Sequence, residues 1–388
     1  MSNVLLIGGD LVPTPSNMTD FVSGEIHNVV DNNLLNILKA ADFRIFNLET
    51  PITDKISPIS KEGPIHRVPE NSIKGIKSLN PNLFTLSNNH ILDQDEQGLI
   101  RTIELLNENN IDYVGAAKNI YDAPKPYILN FGDYKIGIYA CTEHEYSLAT
   151  ENTWGANPFD PLYSLDHISG LSQEVDFTIV LYHGGKEFYR YPSPYLQKVC
   201  RRIVDKGADL VLCQHSHCIG TYEDYGRGRI VYGQGNFIFD RDDKINYEVK
   251  QTSLLIKLEF DSEYNVKYEF IPIRKRKEKI EVAVDKDREE ILYAFENRHK
   301  EIMEPSFVSK KFDELTLSNG SRYLFRLSKL GLIINALDMR LFKGRLLRRR
   351  LGKLFTVRQL HSIENIIQCE VHSESVLRYI KLENSKKK

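Results

Sequence analysis

The stretch VLCQHSHCIG, residues 211–220, is an apolar run that breaks into two histidines, His215 and His217, set two apart between Cys213 and Cys218. In an extended segment, side chains two apart share a face, so the pair could grip neighbouring ions. The cysteines are the weaker candidates. They lie five apart, at the limit of zinc-ligand spacing, and no second cysteine pair accompanies them. Four other strand-like runs end in the same manner. Ile7 leads to Gly8-Gly9-Asp10, Phe46 to Asn47-Leu48-Glu49, Leu86 to Ser87-Asn88-Asn89-His90, and Leu181 to Tyr182-His183-Gly184-Gly185. Taken singly, an Asp after a strand is a turn former and a buried His is a hydrogen-bonded core residue. Five strand ends rich in donors are another matter, because the carboxyl ends of parallel strands form the crevice where α/β proteins bind ligands. Asp10, Glu49, Asn89, His183, His215 and His217 make a mixed oxygen and imidazole set suited to one or two divalent ions, Mn, Fe or Zn. A carboxylate shared between two ions is the usual two-metal arrangement.

Such donors need a frame. Apolar runs of strand length, Val4 to Ile7, Arg44 to Phe46, Leu83 to Leu86, Thr178 to Tyr182, Leu210 to Leu212 and Ile230 to Tyr232, are mostly separated by helix-like segments, the α/β pattern. One helix is well signalled, with Ser193 as N-cap, Pro194 as first residue, a periodic apolar face and Gly207 as stop. Tyr127–Phe131 and Tyr134–Cys141 read as a hairpin about Gly132-Asp133, and Ser253–Phe260 with Val266–Ile273 as an antiparallel pair. After IPIRKRKEKIE the strand pattern yields to charged helical segments, which predicts one unit over 1–275 and a basic, mostly helical region over 276–388.

The net charge of −2 conceals this division: from Arg274 onward there are 27 Lys and Arg against 16 Asp and Glu, leaving 24 against 37 before it. The acidic part suits cations, and the basic part suits an anionic partner or is a solvated helical surface. No run approaches the roughly 18 apolar residues of a membrane span. Nor does Met1-Ser2-Asn3, running into Val4–Ile7, have the basic flank or cleavage site of a signal peptide. A cytoplasmic location is expected, with reduced thiols for the five cysteines. Residues 341–355, LFKGRLLRRRLGKLF, read as a basic amphipathic helix that lies on an anionic membrane surface, grips a partner, or packs as an ordinary domain helix. The first of these would make the protein peripheral at the inner membrane face. No nucleic-acid-binding module accompanies the charge, and no nucleic acid is expected.

GGDLVPT, NLETPIT, LSNNHILDQ, VLYHGGKEFYRYPSPYLQ, CQHSHCIG and YGQGNFIFD closely resemble, in order over about residues 4–240, the CapA family of bacterial capsule and poly-γ-glutamate synthesis proteins, whose core looks like the calcineurin-like metallophosphoesterases. The resemblance implies a four-layer αββα sandwich with a C-terminal helical extension. It assigns Asp10, Glu49 and His217 to one ion and Glu49, Asn89, His183 and His215 to a second, with Glu49 bridging. His90 matches the family's catalytic histidine, oriented by Asp93. The sequence departs from the superfamily pattern at Val12, where a histidine is usual, and at Glu49, where the bridging residue is usually aspartate. Glu143, His144 and Glu145 are the nearest candidates to fill the gap left at Val12. Arg67, Lys186 and Arg190 are expected to neutralise an anionic substrate or surface-polymer precursor. The implied activity is metal-dependent hydrolysis of a phosphoester, ester or amide, with a non-catalytic assembly protein as the alternative.

Overall fold

The structure, a computed structural model, describes residues 3–240, 251–276, 279–327 and 356–385. The basic stretch 341–355 lies outside the described residues. One sheet is built on a parallel core of β1 (Asn3–Val12), β2 (Phe43–Leu48), β3 (Leu83–Thr85) and β4 (Asp112–Val114). The short β5 (Ala116–Ala117) pairs with β8 (Gly155–Ala156) in a ribbon of its own. A second sheet contains β6 (Tyr127–Phe131), β7 (Tyr134–Thr142), β9 (Phe177–His183), β10 (Leu210–Gln214), β11 (Tyr222–Tyr225) and β12 (Gly228–Val231), in the order β11-β12-β10-β9-β7-β6. The first sheet is completed by β13 (Asn236–Phe239), β14 (Thr252–Phe260), β15 (Val266–Arg276) and β16 (Lys279–Val282). The strands therefore run on to Val282, past the basic RKRKEK stretch, before the C-terminal helices begin.

Period-two alternation decides which face each strand residue takes. Leu5 and Ile7 of β1 pack between the sheets with Ile138, Ile179 and Leu212, while Leu6 turns to the opposite face. There it meets α1 (Met18–Ser23), α2 (Asn32–Ala40), α3 (Ile73–Ser78) and α4 (Asp95–Glu108). The outer face of the second sheet, with Tyr139, Val180 and Val211, is covered by α5 (Ser164–Glu174) and α6 (Pro194–Asp205). The result is a four-layer αββα sandwich, each buried Leu or Ile side chain contributing about 1.5–3 kcal/mol of transfer free energy.

The helix expected after Ser193 forms as α6, the Ser193 side chain accepting from the Leu196 amide at 3.1 Å. The hairpin about Gly132 and the pair β14–β15 also form, in antiparallel register. The first strand differs from expectation: it does not stop at Ile7 but continues through both glycines to Val12. Its register shifts between Ile7 and Asp10, and beyond the shift β13 pairs alongside in parallel. Glycine is required there because a Cβ on Gly9 would strike the Gly235 carbonyl oxygen.

Four C-terminal helices are described: α7 (Asp285–Met303), α8 (Phe307–Leu327), α9 (Val357–Gln368) and α10 (Glu370–Ser385). Phe295 of α7 is buried in the inter-sheet core, and the Arg298 guanidinium donates to the Gly220 carbonyl at 2.6 Å. Helices α8 and α10 are joined by the Arg378–Asp313 ion pair. Their shared cluster of Phe312, Cys369 and Val371 packs on Tyr189, in the loop after β9. No helix among the described residues is long and apolar enough to cross a membrane.

Candidate metal centre

Three parallel strands of the first sheet and two of the second deliver the donors to one rim. Asp10 comes from β1, Glu49 from the residue after β2, Asn89 from the loop after β3, His183 from the last position of β9, and His215 and His217 from the turn after β10. All six are buried. They converge as two groups that share Glu49. In one, Asp10, Glu49 and His217 place donor atoms within 4.8 Å of one another; in the other, Glu49, His183 and His215 do so. Asn89 joins the second group, its Oδ1 lying 3.1 Å from His183 Nε2, which is itself 3.2 Å from His215 Nδ1 and 3.5 Å from Glu49 Oε1.

The histidine pair does not converge through strand alternation. Strand β10 ends at Gln214, and His215 and His217 adopt left-handed backbone angles, φ 91° and 54°. Non-glycine residues held there cost roughly 1–3 kcal/mol each, strain that a packed surround sustains at functional sites. The turn brings the two imidazole centroids to 5.9 Å.

The donors are held by a further layer of side chains. The Asn47 amide lies 2.8 Å from Asp10 Oδ1 and 3.2 Å from His183 Nδ1. Asn88 donates to Asn47 Oδ1 and to the Leu48 carbonyl, tying the loop after β3 to the end of β2. Asn236 Oδ1 is 2.9 Å from His217 Nδ1. Such partners fix ring orientation and tune the ligand. The sequence reading missed Asn47, Asn88 and Asn236, although all three stand inside the motifs; an Asn at a buried strand end was the available signal.

Divalent cations fit these residues. Burial pushes the His183 imidazole well down, with His215 beside it adding to the effect, so its lone pair is available. Burial likewise lowers His215, against the opposing pull of Glu145. At His217 burial is outweighed by the carboxylates of Glu49 and Asp10, which raise it to about 9. Burial alone would raise Asp10, but contact with His217 leaves it below the ordinary range. The carboxylates thus call for positive charge at this point, which a bound cation would supply in place of the proton. His217 Nε2, buried and with no hydrogen-bond partner among the described residues, is an open donor position of the kind a cation fills.

His90 faces this centre. Its Nε2 lies 4.0 Å from Glu49 Oε1, and its Nδ1 is 2.7 Å from Asp93 Oδ2. Two further groups brace it that the sequence reading did not single out. Lys61, buried, contacts Asp93, the Asn89 carbonyl at 3.3 Å and His90 Nδ1 at 3.1 Å. His66 packs its ring 4.3 Å from that of His90 and donates its backbone N–H to Asp93 Oδ2. Burial raises the Asp93 carboxyl to about 6 against the lowering pull of Lys61. Lys61 sits in a loop without periodicity, so only folding reveals its place.

The expected substrate cations are engaged with the protein itself. Arg67 donates to the Thr53 carbonyl at 3.1 Å, and Arg190 to the Ile219 carbonyl at 2.9 Å. Lys186 lies in the loop after β9; burial lowers His372 of α10 to about 4, with Lys186 adding to the effect. The segment after β7 does not supply the gap at Val12 as expected, because it lies on the side of the second group. Glu145 Oε2 accepts from Asn89 Nδ2 at 2.9 Å and stands 3.7 Å from His215 Nε2, whereas Glu143 turns to Cys369 and His144 to Glu370. Val12 is buried and apolar, and the first group keeps three donors.

A family model described as "Bacterial capsule synthesis protein PGA_cap" matches residues 4–241. The capsule biosynthesis protein CapA of Bacillus anthracis is 25% identical over 304 residues, which cover 75% of this chain and 72% of that protein. The PGA biosynthesis protein CapA of Bacillus subtilis (strain 168) is 29% identical over 217 residues, 53% of this chain and 55% of that one, so the chain spans little more than half of the latter. Among solved structures, a putative 5'-nucleotidase from Staphylococcus aureus in complex with alpha-ketoglutarate aligns with a TM-score of 0.46 at 14% identity, over 76% of this chain and 58% of that chain.

Proposed function

The chain belongs to the bacterial capsule synthesis protein PGA_cap family, and from that premise we propose that it is a metal-dependent hydrolase acting on a phosphoester, ester or amide of a capsule, exopolysaccharide or poly-γ-glutamate-like polymer or its precursor. One observation carries the reading: Glu49 is common to two buried donor groups, and the His90 imidazole stands against it, braced from behind by Asp93. Asp10, Glu49 and His217 would hold one ion, and Glu49, Asn89, His183 and His215 the other. Ions held there would lower the pKa of a bound water towards about 7 and polarise the scissile oxygen. The chain's own contribution is positional. Asp93, fixed by Lys61 and the His66 amide, lies within hydrogen-bond distance of His90 Nδ1 and favours the doubly protonated ring, whose Nε2–H faces the centre and would deliver its proton to a leaving group or steady developing charge. The capsule and PGA roles in the names of the Bacillus relatives support a polymer as the substrate class. We assign the hydrolytic unit to the sandwich, whose last strand, β16, ends at Val282, and to the helices that follow it contact with the site and with a synthesis partner or the inner membrane face.

Val12 favours a second reading, a metal-bearing assembly protein without turnover, since it leaves the first group a donor short. Purified protein supplied with Mn and screened against phosphatase and peptidase substrates separates the two. Hydrolysis that is lost with a chelator, regained with Mn and lost in His90→Ala is expected; hydrolysis unchanged in both His90→Ala and Glu49→Ala would remove the enzymatic reading.

A further inference from the structure

Beside the rim centre lies a second donor cluster, assembled from parts of the chain that no motif connects. Glu145, in the loop after β7, meets Cys369 and His372 at the start of α10, and their ligand atoms all lie within 4.8 Å of one another. Cys369 is the extended residue between α9 and α10, and His372 is the third residue of α10, so the break between the two helices sets both beside Glu145. Asn365, four residues before Cys369 on α9, donates its Nδ2 to Glu145 Oε1 at 3.1 Å, while its Oδ1 is buried without a hydrogen-bond partner among the described residues. The Cys369 thiol is itself buried, 1% exposed, and also faces another carboxylate, donating to Glu143 Oε2 at 3.9 Å. A thiol, an imidazole, two carboxylates and an orphaned amide oxygen are therefore packed together.

We propose that Glu145, Cys369 and His372 form a third metal site, for a zinc-class divalent cation, that clamps the C-terminal helix pair onto the rim of the sandwich. The donor set decides the class. Thiolate with imidazole selects zinc and its borderline-soft neighbours, while magnesium and calcium require oxygen alone. Binding replaces the Cys369 S–H by a sulfur–metal bond and releases that proton to solvent. Three protein donors leave the fourth tetrahedral position open, to Asn365 Oδ1 or to water. The site is not isolated from the rim. Glu145 offers its Oε2 to Asn89 Nδ2 and approaches His215, so an ion on Glu145 is coupled through one side chain to the ligands of the second group. The inference holds whether or not the rim centre hydrolyses anything, because it rests on residues from α9 and α10 and the loop after β7.

Cobalt substitution in the full chain tests it, since only a thiolate ligand produces an intense sulfur-to-cobalt charge-transfer band in the near ultraviolet. The wild type is expected to show the band, Cys369→Ser to lose it, and Glu49→Gln to keep it while losing rim metal. Zinc content after desalting is expected to fall by one equivalent in Cys369→Ser with His372→Ala. Absence of the band in the cobalt-loaded wild type overturns the proposal, as does a band that survives in Cys369→Ser. Should the cysteine variant not fold, X-ray absorption at the zinc edge of the wild type decides: a sulfur neighbour is expected, and a shell of nitrogen and oxygen alone overturns the site.

Discussion

The rim of the sandwich and the helical roof laid over it are built from donors of the same kinds but by opposite routes. At the rim, each donor stands at or just beyond the end of a buried parallel strand, so the sheet fixes its position before any ion arrives. At the roof, Cys369 stands between α9 and α10 and His372 in the first turn of α10, held by side-chain latches: the His144 amide donates to Glu370 Oε2 at 3.0 Å and its ring meets Oε1 at 2.5 Å, Asn365 donates to Glu145, and the Tyr195 amide of α6 donates to Glu374 Oε1 at 3.0 Å. The difference teaches where rigidity resides. A site on strand ends inherits the sheet's order, whereas a site between a loop and a helix pair needs local latches, and an ion would be the strongest of them.

The comparison is sharpened first at its largest expected effect. Glu49→Gln removes the carboxylate common to both rim groups; rim metal is expected to fall to background by elemental analysis, and any hydrolysis to fall by roughly 10³-fold, the equivalent of several kcal/mol of charge stabilisation. His90→Ala should leave rim metal in place and lower the rate by about 10²-fold or more. Rim metal lost together with the rate would show that His90 holds the site rather than serving the reaction. Asn47→Ala, which removes the amide between Asp10 and His183, is expected to weaken metal affinity by about 10–100-fold in a competition titration. The smallest effect belongs to the roof. Glu370→Gln takes the charge from the His144 contact, an exchange of about 0.5–1 kcal/mol, so amides of α10 should exchange with deuterium roughly 2–5 times faster while those of β1 and β9 are unmoved. Equal acceleration in both regions would break the distinction between rim and roof.

Much of the rim was legible in advance because alternation and punctuation act locally. Runs such as Leu5-Leu6-Ile7 announce a strand buried on both faces, Ser193-Pro194 announces a helix start, and the polar residue after each run announces the crevice. Residues with no period were not legible. Lys61 comes from an irregular loop, and its contact with Asp93 exists only once that loop folds over the segment after β3. Val12 reads as a departure from a pattern, yet only the packed site shows Glu145 passing it by for Asn89 and His215.

By itself, the sequence determined the alternation of strands and helices, the donor types at the strand ends and the charge division near residue 274, since each depends on neighbours within a turn or a strand. Tertiary structure alone decided that Lys61 backs Asp93, that His215 and His217 meet through left-handed turns, and that α10 comes down on Glu145. These depend on sheet register and helix docking, which are set by burial summed over the whole chain and leave no mark at any one position.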